Sequence, residues 1–479
     1  MQLIYLYLFT FLTGYLLTLF FRLTLLEKIG LSCFLGSAWL TLWLFILSCL
    51  GNIPFSSSLI VYILTFSCIG LGLLVWWSGK RSFCWPQVQR FWQQPSRLEK
   101  ILIVSLITIC FFTLVENWIW PITDWDSIAF YDFRAKIIVA TGFIQGGQDL
   151  NYFFGYPPYT SFLHAASYVF GISQSKVWYS WIYASFLLVF FAVLRKKVGR
   201  ARALLGTLIV ATQPLFFDHA MIAYTNLAYV AFLTLGIIYL WQWWERSCAS
   251  DLVLGILLIT LSTWVRLAEP FWIVGVLLVA ANIWRKRKQW MIGVGCLVLL
   301  WIGKSMWPTY IARFDTLPNA IQVTNATKSV LPTSQSSGSL LLSIYQKLVL
   351  LFPSLITFRS YEQALFKPPQ VLIQHFVAVA SYLNFAVLPV FGWVLIPFIL
   401  ALITNLQKKD LWKANYHQWV TIFLLLGMVW LGTYIFSFLF ETWDQIGGSA
   451  ARMTMFVPSL MVFVIMQSNL WQPIFQNDK

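Results

Sequence analysis

The chain has 479 residues and a formal net charge of +15; 59% of it is hydrophobic and only 10% is charged. A mean hydropathy of +0.74, with repeated apolar runs near the roughly 20 residues needed to span a bilayer, excludes a soluble domain of this size. Nucleic acid is also excluded as the reason for the charge, because Lys and Arg fall in short clusters between apolar runs, the distribution that sets membrane orientation. The fold class expected is all-α: a polytopic membrane protein of about 13 transmembrane helices.

Three spans are predicted first, at about Leu3 to Phe20, Gly30 to Leu50 and Ser57 to Trp77, forming an N-terminal membrane segment over 1–78 with almost no polar chemistry. The first lacks the basic start and small-residue cleavage site of a signal peptide and is kept as a helix. A basic, Gln- and Trp-rich linker at 79–100 separates these spans from a membrane core at 101–303. Its first span, Ile101 to Trp118, ends at PITDWDSIAFYDFRAKIIVATG, where an apolar chain suddenly carries five charges. Asp124 and Asp126 should sit just beyond one face of the bilayer, with an amphipathic helix from Ser127 to about Ala140 lying along the surface.

The first outer loop covers 119–176. Within it Pro157 and Pro158 force an extended lead-in to the next segment. Tyr159 to Gly171 is expected as a short, partly inserted helix, because a full crossing there would put Arg195 to Arg202 on the wrong side. Two hairpins follow, Ala203–Leu215 with Asn226–Trp241 and Leu252–Val265 with Phe271–Trp284. Arms of about 13 to 15 residues reach only about 20 to 22 Å against a core near 30 Å. Their outer turns, carrying Asp218, His219, Tyr224 and Asn226 and then Arg266, Glu269 and Pro270, should therefore be sunken and face a wet crevice. The long outer loop 304–375 holds a Ser/Thr-rich stretch and an apolar patch, read equally as a lid or a connector. Kinked helices over 376–479 complete the chain.

The clusters at Arg22 and Lys28, Lys80–Lys100, Arg195–Arg202, Arg246, Arg285–Lys288 and Lys408–Lys413 lie at alternate crossings, which makes those loops cytoplasmic and the acid-bearing loops outer. All seven Cys fall in spans or cytoplasmic loops, so no disulfide framework is implied.

TDWDSIAFYDFRAKII followed by GYPPYTSFLH resembles the first outer loop of the GT-C superfamily, the polyprenyl-phosphate-sugar-dependent glycosyltransferases related to protein mannosyltransferases and the aminoarabinose transferase. The likeness runs from about Ile101 to Leu460, continuing through AYTNLAY, TWVRLAEPF and GGSAARMTMFVPSL. Relatives often carry an acid where this chain has Asn226. The resemblance implies transfer of a sugar from a polyprenyl-phosphate donor to a hydroxyl of a glycan, lipid or protein. That transfer would proceed with inversion, on the extracytoplasmic face of a bacterial plasma membrane. It implies Asp126 as the base, with Asp124 second. Arg266, Arg452 and Lys136 are candidates for the donor phosphate, whose oxygens suit the planar Arg fork; Glu269 would orient Arg266 or the sugar, and Tyr156 would line the pocket. No cofactor is required, although two close acids also suit a divalent cation held with the donor phosphates.

Plainer readings stand beside these. Asp126 precedes a helix start and suits an N-cap; Asp132 and Lys136 are four apart and suit a surface ion pair, the favoured reading there. Arg266 and Glu269 suit a local pair, and Arg452 suits an interfacial anchor. The four His show no metal-ligand spacing. The rival classes are a lipid-linked glycan flippase or transporter, an oligosaccharide ligase of related fold, and a transferase-like scaffold without activity, which Asn226 in place of an acid keeps open.

Overall fold

The computed structural model describes residues 2–79, 95–144, 156–267, 270–286, 289–312, 369–407, 409–439 and 448–471. Among them there is no strand. Most of the 79–100 linker, Glu269, and the Ser/Thr-rich stretch and apolar patch of the long outer loop lie outside the described residues.

The helices in chain order are α1 (Gln2–Thr18), α2 (Leu25–Leu44, prolonged by a π-helical turn at Phe45–Leu50), α3 (Ser57–Trp77), α4 (Arg97–Ile119), α5 (Phe133–Thr141), α6 (Tyr159–Val169), α7 (Val177–Arg195) and α8 (Arg200–Ala211). They continue with α9 (Pro214–Asp218), α10 (Thr225–Arg246), α11 (Ala249–Val265), α12 (Trp272–Lys286) and α13 (Trp290–Ile311). The C-terminal set is α14 (Pro369–Ala386), α15 (Leu388–Phe391), α16 (Leu395–Gln407), α17 (Lys409–Leu439), α18 (Ser449–Thr454) and α19 (Phe456–Gln467). Among the described residues, eight segments are long and apolar enough to cross a bilayer, and three further apolar helices, α1, α11 and α12, are shorter. The chain is thus an all-helical membrane protein with several such helices.

Where helices start and stop follows local chemistry. α4 begins four residues before the expected Ile101 because Ser96 and Glu99 close a capping box, each side chain satisfying the other's backbone N–H. The surface helix forms where its amphipathic pattern places it, as a π-helical turn at Ser127–Asp132 running into α5, and it ends at Gly142 in the left-handed region (φ 78°). α6 has 11 residues, about 16 Å, too short to cross, as the charge argument requires. One arm differs from expectation. α10 continues past Trp241 to Arg246, giving 22 residues and about 33 Å, because Trp241, Gln242, Trp243 and Trp244 stay buried. The turn holding Asp218 to Tyr224 is thus flanked by one full-length helix and by α8, which at 12 residues, about 18 Å, is as short as expected; α11 and α12, at 17 and 15 residues, are short too.

α10 is buried from Thr225 to Trp244 and α7 along most of its length, whereas α4 is at the lipid-facing rim. The three leading helices share the core with the rest. A Cβ on Gly14 would meet the Ser32 carbonyl at 1.8 Å and one on Gly36 the Thr10 carbonyl at 2.0 Å, so α1 and α2 cross at backbone contact. Small residues at a crossing allow that approach where no hydrophobic effect drives helices together. α2 then packs on α7 and α6: Ser37 bonds Tyr159 at 2.9 Å, Trp264 of α11 donates to Thr41 at 3.1 Å, and Lys196 reaches Glu27 at 2.6 Å.

One end of the bundle collects the basic loops with their acids: Lys196 with Glu27, Arg200 with Glu99, and Lys197 with Glu245 near the C-terminus of α10. The N-terminus of α10, about 30 Å away along its axis, carries the other polar cluster.

Candidate functional site

The polar cluster is assembled from five stretches distant in sequence. From α4 the chain turns at Trp120 into extended backbone and delivers Asp124, Trp125 and Asp126. Asp126 already has helical angles (φ −61°, ψ −33°) and makes no side-chain cap bond, so the N-cap reading does not hold. Its Oδ2 instead accepts from Nη1 of Arg452 at 3.1 Å, across 326 residues of sequence. Arg452 projects from α18, a short helix entered through Gly448 at φ 72°, and its second nitrogen reaches Ser449 Oγ at 3.3 Å. The Arg452 guanidinium lies 5.6 Å from the ring of Tyr224, which directly precedes α10.

The second half of the cluster centres on Arg266, in extended backbone at the end of α11. It donates to Oδ1 of Asn226, on the first turn of α10, and its guanidinium lies 5.4 Å from the ring of Tyr156. Tyr131 joins the halves. Its ring is 5.7 Å from Tyr156 and 6.4 Å from Tyr224, and its hydroxyl bonds Thr225 at 3.2 Å. Sequence candidates Asp126, Arg452, Arg266, Asn226 and Tyr156 are thus brought together. Asp124 is close enough for its charge to act on Tyr224. Glu269 lies outside the described residues, so its pairing with Arg266 is not among the contacts described.

Lys136 has another placement. Its ammonium group is 2.7 Å from Asp132 while its side chain is 65% exposed, which is the expected i, i+4 ion pair, but with a buried acid rather than a surface one. Asp132 also accepts from the Tyr168 hydroxyl and lies 3.4 Å from His164 Nδ1, whose other nitrogen is 3.0 Å from Tyr179. Burial pushes the Asp132 carboxyl up, but His164, Lys136 and Tyr168 outweigh it and hold the group well below the usual carboxylate range.

Two residues do more than the sequence reading assigns them: Arg134 has no role there, and His219 is expected only as part of an outer turn. Arg134 is fully buried in α5 and binds the YPP segment: Nη1 to the Tyr156 carbonyl at 2.6 Å, Nη2 to the Pro157 carbonyl at 2.9 Å, and Nε to Ser161 at 2.8 Å. Burial holds its guanidinium down to about 10. It falls on the same helical row as Ser127, Tyr131 and Ile138, all buried, and a cation on an apolar row is the signal that could have exposed it. The second is His219, 2% exposed, pushed down to about 3 by burial and then by the charges of Arg452 and Arg266. Both cations thus act with burial to disfavour its protonation. Tyr224 is raised by burial first and then by Asp126 and Asp124, with Arg452 opposing.

Among the described residues, three buried polar atoms around this cluster have no hydrogen-bond partner: Ser127 Oγ, His219 Nδ1 and Asn226 Nδ2. Orphaned groups of this kind are costly and are usually completed by a ligand or water. Among the described residues no group of three or more His, Cys, Asp or Glu is placed to hold a metal ion. The arrangement offers one carboxylate within reach of a cation, a second cation beside an amide, and aromatic faces between them, which suits an anionic ligand with a polar, ring-shaped neighbour. Comparison with protein-family models, with curated proteins and with solved structures finds no match for the chain.

Proposed function

We propose that the protein is an integral membrane glycosyltransferase that takes a sugar from a polyprenyl-phosphate donor and transfers it to an acceptor hydroxyl. The observation that carries this reading is the convergence of Asp126, Arg452 and Arg266 beside orphaned polar atoms at the end of α10 remote from the basic loops. An acid next to two guanidinium groups is what the chemistry needs: a base for the acceptor proton, and fixed cations where phosphate charge develops.

In this reading the acceptor oxygen attacks the anomeric carbon and its proton passes to Asp126. The sugar–phosphate C–O bond breaks with inversion, and Arg452 and Arg266 receive the departing phosphate oxygens. Asn226 holds Arg266, Tyr156 lies against it, and Tyr131 and Tyr224 give aromatic walls for the sugar. Asp124 stands one residue before Trp125 as the alternative base, and a divalent cation held by the two acids with the phosphates is the variant of this scheme. Lys136 is engaged with Asp132 and is assigned to support of the surface helix rather than to phosphate. With the basic loops cytoplasmic, the site faces the extracytoplasmic side, where lipid-linked sugars are the available donors.

The test is reconstitution of the full chain in liposomes with a panel of radiolabelled polyprenyl-phosphate monosaccharides and a crude glycan or lipid acceptor extract. Transfer by wild type that falls by roughly 10²- to 10⁴-fold in Asp126→Asn supports the assignment. Movement of donor across the bilayer without transfer, undiminished in the variant, would establish the flippase instead.

A further inference from the structure

A second feature lies away from this cluster. A cavity of about 1130 Å³ opens between α1, α4, α7 and α8, walled almost wholly by apolar side chains and open toward the lipid side. Its α4 wall runs from Ile103 to Ile119, about 24 Å at 1.5 Å per residue, a large part of a bilayer's hydrocarbon thickness. Bilayer lipid could fill any such groove; its ends decide what it selects.

At the Trp118, Ile119 and Val177 end no collar of cations appears on the lining rows among the described residues: Lys176 there is paired with Glu116 at 3.3 Å. The opposite end is different. The last lining residues are Ile103 on α4, Phe191 on α7 and Leu204 on α8. Residues three or four apart share a helix face, so each row continued by one turn reaches Glu99 and Lys100, then Arg195, then Arg200. Glu99 and Arg200 are paired and Arg195 lies within electrostatic range of both. Lys100 is exposed, and so is Arg97 one turn before it. Lys100, Arg195 and Arg200, with Arg97 one turn further out, therefore stand against the single acid Glu99 at one mouth of an apolar slot.

We propose that this groove is a binding site for an anionic phospholipid, its acyl chain along α4 and α7 and its headgroup phosphate at Lys100, Arg195 and Arg200. The site lies at the end of the bundle away from Asp126 and does not depend on the transferase reading. Its function is to fix α4, the most lipid-exposed of the core-adjacent helices, which carries the Asp124–Asp126 stretch at its far end.

Native mass spectrometry of the full chain in detergent, titrated with phosphatidylglycerol and with phosphatidylcholine, tests it. Wild type should bind one phosphatidylglycerol in preference to phosphatidylcholine. Lys100→Gln with Arg195→Gln should weaken phosphatidylglycerol by roughly thirtyfold while leaving phosphatidylcholine unchanged. Ala184→Phe, which places a ring in the middle of the groove, should remove both; thermal melting of each variant checks folding. Equal binding of the two lipids by wild type, or unchanged phosphatidylglycerol binding in the charge variant, overturns the proposal. Loss of preference in Arg452→Gln with retention in the charge variant overturns it too and assigns the groove to a lipid held from the Asp126 end.

Discussion

Replacing Arg452 by Gln separates a binding role from a structural one. In the resting protein Arg452 is paired with Asp126 at 3.1 Å, but the two side chains keep 25% and 36% of their exposure. A pair that accessible is screened by water, and its contribution to stability is no more than about 1 kcal/mol. If the same guanidinium holds a phosphate during transfer, the lost interaction is a charge-assisted hydrogen bond worth about 1.5–3 kcal/mol, roughly 10- to 100-fold in kcat/KM. The expected outcome is therefore a melting curve close to wild type with transfer of a polyprenyl-phosphate sugar reduced by at least tenfold. Arg452→Lys should recover only part of the loss, because an ammonium group cannot offer two parallel donors. Melting is followed by intrinsic Trp fluorescence of the detergent-solubilised protein and transfer in liposomes. Full transfer by Arg452→Gln, or a loss of transfer that tracks a matching loss of folded protein, would refute the reasoning.

Further outcomes follow from residues outside that pair. Arg134→Met should destabilise by about 3 kcal/mol or more, since the Tyr156 and Pro157 carbonyls lose their donor in a buried setting; chemical denaturation measures it, and a loss below about 1 kcal/mol contradicts the assigned role. His219 has its folded pKa pushed down to about 3, below the ordinary value of 6.5, so between those limits the unfolded chain binds the extra proton. Stability then falls as pH drops from about 6.5, by up to about 1.4 kcal/mol per pH unit. His219→Gln should flatten that part of the melting-temperature profile, and an unchanged slope would show that the imidazole is not held neutral. Gly36→Ala sets a methyl group 2.0 Å from the Thr10 carbonyl, which only separation of α1 and α2 can relieve. It should lower the yield of folded protein sharply, and a normal yield with unchanged melting would deny the backbone contact.

Much of this molecule is written locally. Apolar runs and the clusters between them determine that the chain is helical and lives in a membrane, because lipid leaves the backbone no partner except itself. The Asp-Trp-Asp stretch after α4 and the surface helix through α5 are readable for the same reason: each depends on neighbours within a few turns, whereas the extended lead-in expected at Pro157 and Pro158 is not kept at Pro158, which bends into α6 at ψ 2°. What sequence could not determine is pairing. Asp126 meets Arg452 across 326 residues, Asn226 meets Arg266 from another helix, and Asp132 finds His164 and Tyr168 instead of serving only Lys136. Nor does hydropathy reveal that α2 belongs to the core or that α10 runs on to Arg246, since Leu and Trp facing lipid and facing protein have the same composition. Charge patterns mark where polar groups can be tolerated; only the crossing of the helices decides which of them meet.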